Sequence, residues 1–197
     1  ETPQIAYAVT YLASDGTSKQ AVKFAYKIGN DWMTEMVWGD DAHGQSLVIS
    51  PGGDSLLSFS TAEGLQYAIR DSVNRVWQIT PVKSEAAEDT SIDIHIQGQP
   101  RIAYSRAGEI WYAAYEQATG WSIKAVSTEG DNKAPSLAFD ASGVAHVAYY
   151  DATAQVVRHA YRDGGTWKDT SIASSADTPV ALALDGAGKP RVAFLDS

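Results

Sequence analysis

The side chains with the most chemical potential in this sequence are carboxylates that recur in short polar loops. Four stretches, residues 38–45, 83–90, 127–134 and 174–178, each carry at least one acid. Carboxylates bind cations, accept hydrogen bonds and act in pairs during glycoside hydrolysis. Together with the aromatic and imidazole side chains beside them, the candidate ligand-binding residues are Trp38, Asp40, Asp41, His43, Glu88, Asp89, Asp131, Tyr150 and Asp177.

Three tracks of residues repeat along the chain. A tryptophan recurs with gaps of 45, 44 and 46 residues, at Trp32, Trp77, Trp121 and Trp167. An alanine precedes each of these, at Ala25, Ala68, Ala114 and Ala160. A further aromatic track runs through Tyr7, Phe59, Tyr104, Tyr149 and Phe194. Because the tracks keep one phase, the chain is predicted to consist of repeated structural units.

Each repeat contains four short segments rich in β-branched and aromatic residues. In the clearest repeat they are residues 135–140, 144–151, 156–162 and 166–173. Segments of this length bounded by Gly, Asp, Asn or Pro are typical of β-strands. Four strands in about 45 residues match one blade of a β-propeller. The predicted fold is therefore an all-β propeller with blades of four antiparallel strands.

The recurring patterns P-x-L-A-h-D, H/R-V-A-Y-x-D and A-Y-x-x-G-x-W resemble the repeats of bacterial β-propeller proteins grouped with sialidase-like and lectin-like propellers. The resemblance covers essentially the whole chain. Residues 161–167, YRDGGTW, also resemble the aspartate box of sialidase-type propellers, without its leading serine. The resemblance implies an architecture and leaves the activity open, because propellers host many functions.

The predicted strands number 17, which does not divide into complete four-stranded blades. We expect one β-propeller domain over residues 1–197, with about five blade-like units at 1–38, 39–83, 84–127, 128–173 and, in part, 174–197. Two interpretations of the closure remain open. Either the last blade of a ring is half built, or a second copy or a partner chain completes the open blade, since an unpaired strand edge favours association.

The acidic stretches fall where the last strand of one blade leads to the first strand of the next. In a propeller these loops share one face, and the loops between second and third strands lie on that face too. The functional interpretation is a face that binds polyols or Ca²⁺, and the structural interpretation is a solvated acidic rim. The turns at 140–143 and 185–188 each carry one carboxylate, too few for a calcium loop, so no metal or cofactor is predicted from a motif.

Aromatic and histidine residues add further expectations. Trp38 and Tyr150 lie near loop ends and are expected to be exposed aromatics that could stack on a sugar ring. The repeated tryptophans are instead expected to pack between blades. His146 and His159 are expected to be diagonal neighbours on one face of a sheet, where two imidazoles alone make a weak metal site.

Composition excludes several classes of function. Lys and Arg number 15 against 24 Asp and Glu, a net charge of −9, which argues against nucleic acid and anionic membrane partners. The chain has no cysteine, which excludes disulfides and thiolate sites. No apolar run approaches the roughly 18 residues of a membrane-spanning helix. We expect an extracellular or periplasmic location.

The sequence leaves three functions open. The near-uniform repeats favour a non-enzymatic module that recognises a carbohydrate or protein partner through the acidic face, and no catalytic residue is predicted. The alternative is a fragment of a secreted propeller enzyme, a glycoside hydrolase or lyase, which requires paired carboxylates about 5–10 Å apart. A structural subunit that adds strands to a neighbour is the third.

Overall fold

The computed structural model describes residues 2–174 and 176–196, and every regular element in these residues is a β-strand. Contacts divide the chain into an N-terminal unit, residues 1–87, and a C-terminal unit, residues 88–197. In the described residues there is no helix that could cross a membrane.

The N-terminal unit contains two antiparallel sheets. The first has three strands in the order β1-β2-β3, and the second has four in the order β4-β5-β6-β7. The strands are β1 (Gln4–Leu12), β2 (Ser18–Ile28), β3 (Asp31–Trp38), β4 (His43–Ile49), β5 (Ser55–Thr61), β6 (Gly64–Arg70) and β7 (Trp77–Lys83).

The C-terminal unit contains two four-stranded antiparallel sheets, β8 to β11 and β12 to β15, and a two-stranded sheet of β16 and β17. The strands are β8 (Thr90–Ile94), β9 (Pro100–Arg106), β10 (Glu109–Glu116), β11 (Gly120–Ser127), β12 (Asn132–Phe139), β13 (Ala145–Asp151), β14 (Val156–Asp163), β15 (Thr166–Ser174), β16 (Ala176–Leu184) and β17 (Pro190–Asp196).

The all-β class and the four-stranded antiparallel sheets are confirmed, and the described residues hold 17 strands at the predicted places. Three loop predictions are wrong in part. The stretches 38–45 and 127–134 include the first residues of β4, which begins at His43, and of β12, which begins at Asn132. Residues 174–178 were expected to form a loop, but β15 ends at Ser174 and β16 begins at Ala176, and Ser175 lies outside the described residues. The number of blades in a ring and its closure stay predictions.

The repeat is also visible in the strand register. In four sheets the pairing of the last two strands in chain order shifts by a residue. The shifts lie at Val22/Lys23, Leu65/Gln66, Ile110/Trp111 and Val157/Arg158. Each shift lies two to four residues before the repeated alanine. A β-bulge twists the strand and re-aims the side chain beside it, so this irregularity recurs as a feature of the repeat.

Each unit buries its own apolar core. Phe24, Phe59 and Leu57 are fully buried in the N-terminal unit, and Tyr149 and Val147 are fully buried in the C-terminal unit. Burying one such side chain contributes roughly 1.5–3 kcal/mol. These clusters fix the sheets on which the polar loops stand.

The repeated tryptophans serve this packing in two of the four repeats. The rings of Trp77 and Phe24 meet edge-on at 5.2 Å, and those of Trp167 and Tyr112 meet in the same way at 5.3 Å. In both pairs the partners belong to neighbouring sheets of one unit, as predicted. Trp32 differs, because 46% of its surface is exposed.

Candidate functional site

A polar cavity opens in the C-terminal unit where the loop after β11 meets the turn after β13. Its volume is about 440 Å³, and we name it the loop cavity. Its lining residues are Ser127, Thr128, Glu129, Gly130, Asp151, Thr153, Arg158 and Asp169. It is lined by a loop between blades and by a loop between second and third strands, the two kinds of loop that the sequence predicted to share a face.

Backbone contacts hold the two sides of this cavity together. The Ala152 amide donates to the Asp131 carbonyl at 2.9 Å. The buried Asn132 side chain donates to the carbonyls of Glu129 and Gly108, at 2.6 and 3.0 Å. Gly130 has a φ of +92°, and a Cβ there would lie 2.8 Å from Asp151 Oδ1. Only glycine combines this backbone conformation with so close an approach of the Asp151 carboxylate.

Two carboxylates flank one guanidinium in the cavity. Arg158 Nε donates to Asp169 Oδ2 at 2.8 Å, and Arg158 Nη1 lies 4.0 Å from Asp151 Oδ2. Because both carboxylates contact one guanidinium, the distance between them has an upper limit. That limit lies near the upper end of the roughly 5–9.5 Å range used by glycosidases. The bulge at Val157/Arg158 lies at the strand position that places Arg158 here.

A second donor holds one oxygen of Asp169, and the other oxygen has no hydrogen-bond partner in the described residues. The Tyr149 hydroxyl donates to Asp169 Oδ2 at 2.6 Å. Burial raises the pKa of the Tyr149 phenol, and the Asp169 carboxylate raises it further, so Tyr149 stays a donor. Asp169 Oδ1 is buried and accepts no hydrogen bond from the described residues. A buried carboxylate oxygen favours a donor, such as a ligand hydroxyl.

The sequence analysis missed Asp151, Arg158 and Asp169, although the repeat contained a signal for Asp169. Asp169 stands two residues after its tryptophan, where the other repeats have Thr34, Ile79 and Ile123. Asp151 stands two residues after Tyr149, where the other repeats have Val9, Thr61, Arg106 and Asp196, so an aspartate at this position is not unique to this repeat. A comparison of repeats position by position would have singled out this repeat.

The predicted residues of the N-terminal unit gather where the loop after β3 meets the hairpin of β1 and β2. Lys19 Nζ lies 2.5 Å from Asp40 Oδ1, and the Gln20 amide donates to Asp41 Oδ1 at 3.3 Å. The Trp38 indole donates to the Asp40 carbonyl at 2.8 Å and packs against the core. His43 lies apart from them, with Nε2 at 3.2 Å from the Ala87 carbonyl.

Most of the predicted residues of the C-terminal unit surround one lysine. Lys133 Nζ lies 2.8 Å from Asp131 Oδ2, and this ion pair, with Glu88 and Tyr150 nearby, raises the pKa of Lys133. Asp89 Oδ2 accepts a hydrogen bond from the next amide, that of Ala134, at 3.2 Å. The structure therefore brings Glu88, Asp89, Asp131 and Tyr150 together.

Two of these predictions require correction. Tyr150 is only 8% exposed and packs against Val157 and Val180, so it is not the exposed aromatic that we expected. Its aromatic ring serves the core of the unit. Asp177 lies in β16 rather than in a loop, and its carboxylate accepts a hydrogen bond from the Thr178 amide at 2.7 Å.

In three of the acidic loops, one acid pairs with a lysine. Asp40, Glu85 and Asp131 each pair with a lysine of their own unit, namely Lys19, Lys83 and Lys133. Over residues 2–174 and 176–196, no three His, Cys, Asp or Glu side chains form a group that could hold a metal ion. Calcium binding at this face stays a prediction.

His146 and His159 are diagonal neighbours, as predicted. His146 pairs with Tyr161 and Ala148 pairs with His159, and the two imidazoles stack with 3.0 Å between Nδ1 of His146 and Nε2 of His159. Burial lowers the pKa of both. The pair is neutral and packed at neutral pH.

Comparison with known proteins finds likeness only in three dimensions. No protein-family model matches the sequence, and no curated protein matches it. A protein of unknown function from Dyadobacter fermentans superposes with a TM-score of 0.70 at 9% identity, over 97% of this chain and 71% of that one.

Two glycoside hydrolases also superpose on this chain. A GH43 β-1,3-galactosidase solved with galactodeoxynojirimycin gives a TM-score of 0.60 at 10% identity, over 98% of this chain and 91% of that one. An exo-β-1,3-galactanase from Clostridium thermocellum gives 0.57 at 9% identity, over 97% and 51%. The fold is propeller-like. At these identities the likeness establishes the fold alone. The more specific sialidase-like and lectin-like resemblance stays a prediction.

Proposed function

We propose that this chain is a carbohydrate-active module that holds a neutral oligosaccharide in the loop cavity and hydrolyses a glycosidic bond there. The observation that carries the proposal is the pair of carboxylates, Asp151 and Asp169, flanking the Arg158 guanidinium in one open polar cavity. The volume of about 440 Å³ lies within the range of small-molecule sites.

The contacts suggest different roles for the two acids. Arg158 and Tyr149 both donate to Asp169 Oδ2 and hold this carboxylate in place, which suits a base or nucleophile. Asp151 then supplies the second carboxyl group that hydrolysis requires. The exposed residues Thr128 and Glu129 offer polar groups to the remaining sugar hydroxyls.

The two solved hydrolases reported above act, by their names, on β-1,3-linked galactose. They make β-1,3-galactan and its oligosaccharides the first substrates to test. The extracellular or periplasmic location predicted from the sequence belongs to this proposal, because polysaccharide substrates such as β-1,3-galactan occur outside the cytoplasm.

The test is release of reducing ends from β-1,3-galactan and from a panel of neutral polysaccharides. We expect turnover by the natural chain and a loss of about 10²-fold or more in kcat for Asp169→Asn and Asp151→Asn. Asp163→Asn is the matched control, because Asp163 is exposed, pairs with Lys168 and lies outside the cavity. Equal loss in the control, or full activity in both cavity variants, would contradict the proposal.

A second candidate is sugar binding without hydrolysis. It is favoured by the way both acids accept hydrogen bonds from their own chain: Asp151 Oδ1 accepts the amides of Thr153 and Ala154, each at 3.1 Å. Acids committed in this way suit the recognition of hydroxyl groups. Calorimetry separates the two functions, because binding without any release of reducing ends, weakened in Asp169→Asn, would select the second.

A further inference from the structure

A second cavity of the C-terminal unit lies at the other end of β14 and has the opposite chemistry. Its volume is about 230 Å³, and its side chains are those of His95, Arg101, Tyr112 and Arg162, beside the glycines Gly143 and Gly165. We name it the basic cavity. Two motifs of the sequence, the turn at 140–143 and the stretch at 161–167 that resembles an aspartate box, supply those glycines.

Arg162 has no acidic partner in the part of the chain that the structure describes. Its guanidinium lies over the Tyr112 ring, with Cζ 5.8 Å from the centroid. Arg70 stands at the same repeat position, two residues after the repeated alanine. There the charge is balanced, because Nε and Nη2 donate to the Glu35 carboxylate at 2.8 and 2.7 Å. The fold therefore neutralises this position in one repeat and leaves it unbalanced in another.

The other side chains of the basic cavity are fixed. Arg101 is 5% exposed and donates to the Pro100 carbonyl at 3.1 Å, to the Tyr115 carbonyl and to Glu116. Burial raises the pKa of the Tyr112 phenol, and the guanidiniums of Arg101 and Arg162 oppose that rise. The phenol stays protonated at neutral pH.

Glycine keeps the edge of His95 accessible. A Cβ on Gly143, where φ is +81°, would lie 2.8 Å from His95 Nε2. The small residue leaves the imidazole nitrogen at the wall of the cavity. Two guanidiniums, a phenol and an imidazole thus line one small space in a chain whose net charge is −9.

We propose that the basic cavity binds the carboxylate of a small anionic ligand, with Arg162 as the principal contact. A guanidinium without an acidic partner presents parallel N–H donors that match a carboxylate in a two-point pairing. The volume is below the roughly 300 Å³ at which drug-sized sites begin, so the ligand is small. The carboxylate belongs either to an acidic sugar or to a simple organic acid. This site shares no residue with the loop cavity, so its failure or success is separate from that of the proposed function.

Calorimetric titration of the full chain at constant ionic strength tests this inference, with glucuronate, acetate, glucose and inorganic phosphate as probes. We expect saturable binding of glucuronate, no binding of glucose, and at least tenfold weaker binding in Arg162→Met. Arg162→Lys keeps the charge but loses the parallel N–H donors, so it should bind glucuronate several-fold more weakly than the natural chain does. Arg191→Met is the matched control, since it removes an equal charge from an exposed arginine of the same unit and should bind as the natural chain does.

The probes also separate the two ligand sources. Binding of glucuronate without acetate supports an acidic sugar, and equal binding of both supports a simple organic acid. No binding of either carboxylate, tighter binding of phosphate than of carboxylates, or equal loss in Arg191→Met and Arg162→Met would overturn the proposal.

Discussion

Arg70 shows how one residue can be fixed by partners that the sequence places far away. It is 6% exposed, its guanidinium pairs with Glu35, and Cζ lies 4.6 Å from the Tyr26 ring centroid. The Trp77 indole donates to the same carboxylate at 3.2 Å. Partners from three strands therefore meet at one charge, and removing that charge leaves Glu35 without its main donor.

We predict that Arg70→Met lowers the free energy of unfolding by about 1–3 kcal/mol, because a half-buried carboxylate loses its partner. Urea unfolding at neutral pH measures the change. Arg191→Met is the control, since that side chain is 70% exposed and its loss should cost under about 0.5 kcal/mol.

The same pair predicts the response to acid. The Arg70 hydrogen bond holds the pKa of Glu35 below its usual value, so the pair stabilises the fold above the unfolded-state pKa of about 4.3. This stability is lost as the pH falls through the lower folded-state pKa. Between about pH 5 and pH 3, the natural chain should therefore lose more stability than Glu35→Gln. Parallel pH profiles of the two would contradict this account.

At the scale of elements, tight turns hold each sheet in register. Gly64 joins β5 to β6 with a φ of +120°, and a Cβ there would lie 2.1 Å from the Lys83 carbonyl oxygen. Gly29 joins β2 to β3 with a φ of +61°, and a Cβ there would meet no atom within 4 Å. The two glycines separate the cost of backbone conformation from the cost of a clash.

We predict that Gly64→Ala lowers the free energy of unfolding by more than about 3 kcal/mol, because backbone strain and overlap add. Gly29→Ala in the same unit should cost only about 1–2 kcal/mol, the strain alone. Urea unfolding of both variants checks the difference. Equal losses would show that the end of β7 moves away without cost.

At the scale of the whole molecule, the described residues form three four-stranded sheets, one three-stranded sheet and one two-stranded sheet. In these residues β17 hydrogen-bonds only to β16. Its side chains include the exposed Phe194 and Leu195, at 36% and 54%. An open strand edge with exposed apolar residues favours pairing with another strand, and a partner for the open blade stays a prediction.

We predict that the chain self-associates through β17, and that Leu195→Lys lowers its mass in solution toward that of a monomer. A charge on an edge strand opposes strand pairing, and Leu195 is already exposed, so the fold should survive. Val73→Lys is the control, because Val73 is 84% exposed in the turn after β6. Light scattering after size-exclusion chromatography measures the masses, and a monomeric natural chain would refute the prediction.

The sequence by itself determined the all-β class and the places of the strands. These follow from short-range information, because alternating apolar residues and turn-forming Gly, Asp and Asn act within a few positions of the chain. It also placed His146 and His159 as diagonal neighbours, since a hairpin register depends on local spacing.

Only the tertiary structure decided which charges act and which are balanced. Asp40 and Asp131 looked free in the sequence, but Lys19 and Lys133 pair with them once the loops are folded. Asp151 and Asp169 meet at Arg158 because a bulge and neighbouring strands bring them together. These pairings depend on contacts between segments that are distant in the chain. The sequence therefore shows which residues carry charge, but it does not show which of those charges are neutralised by a partner.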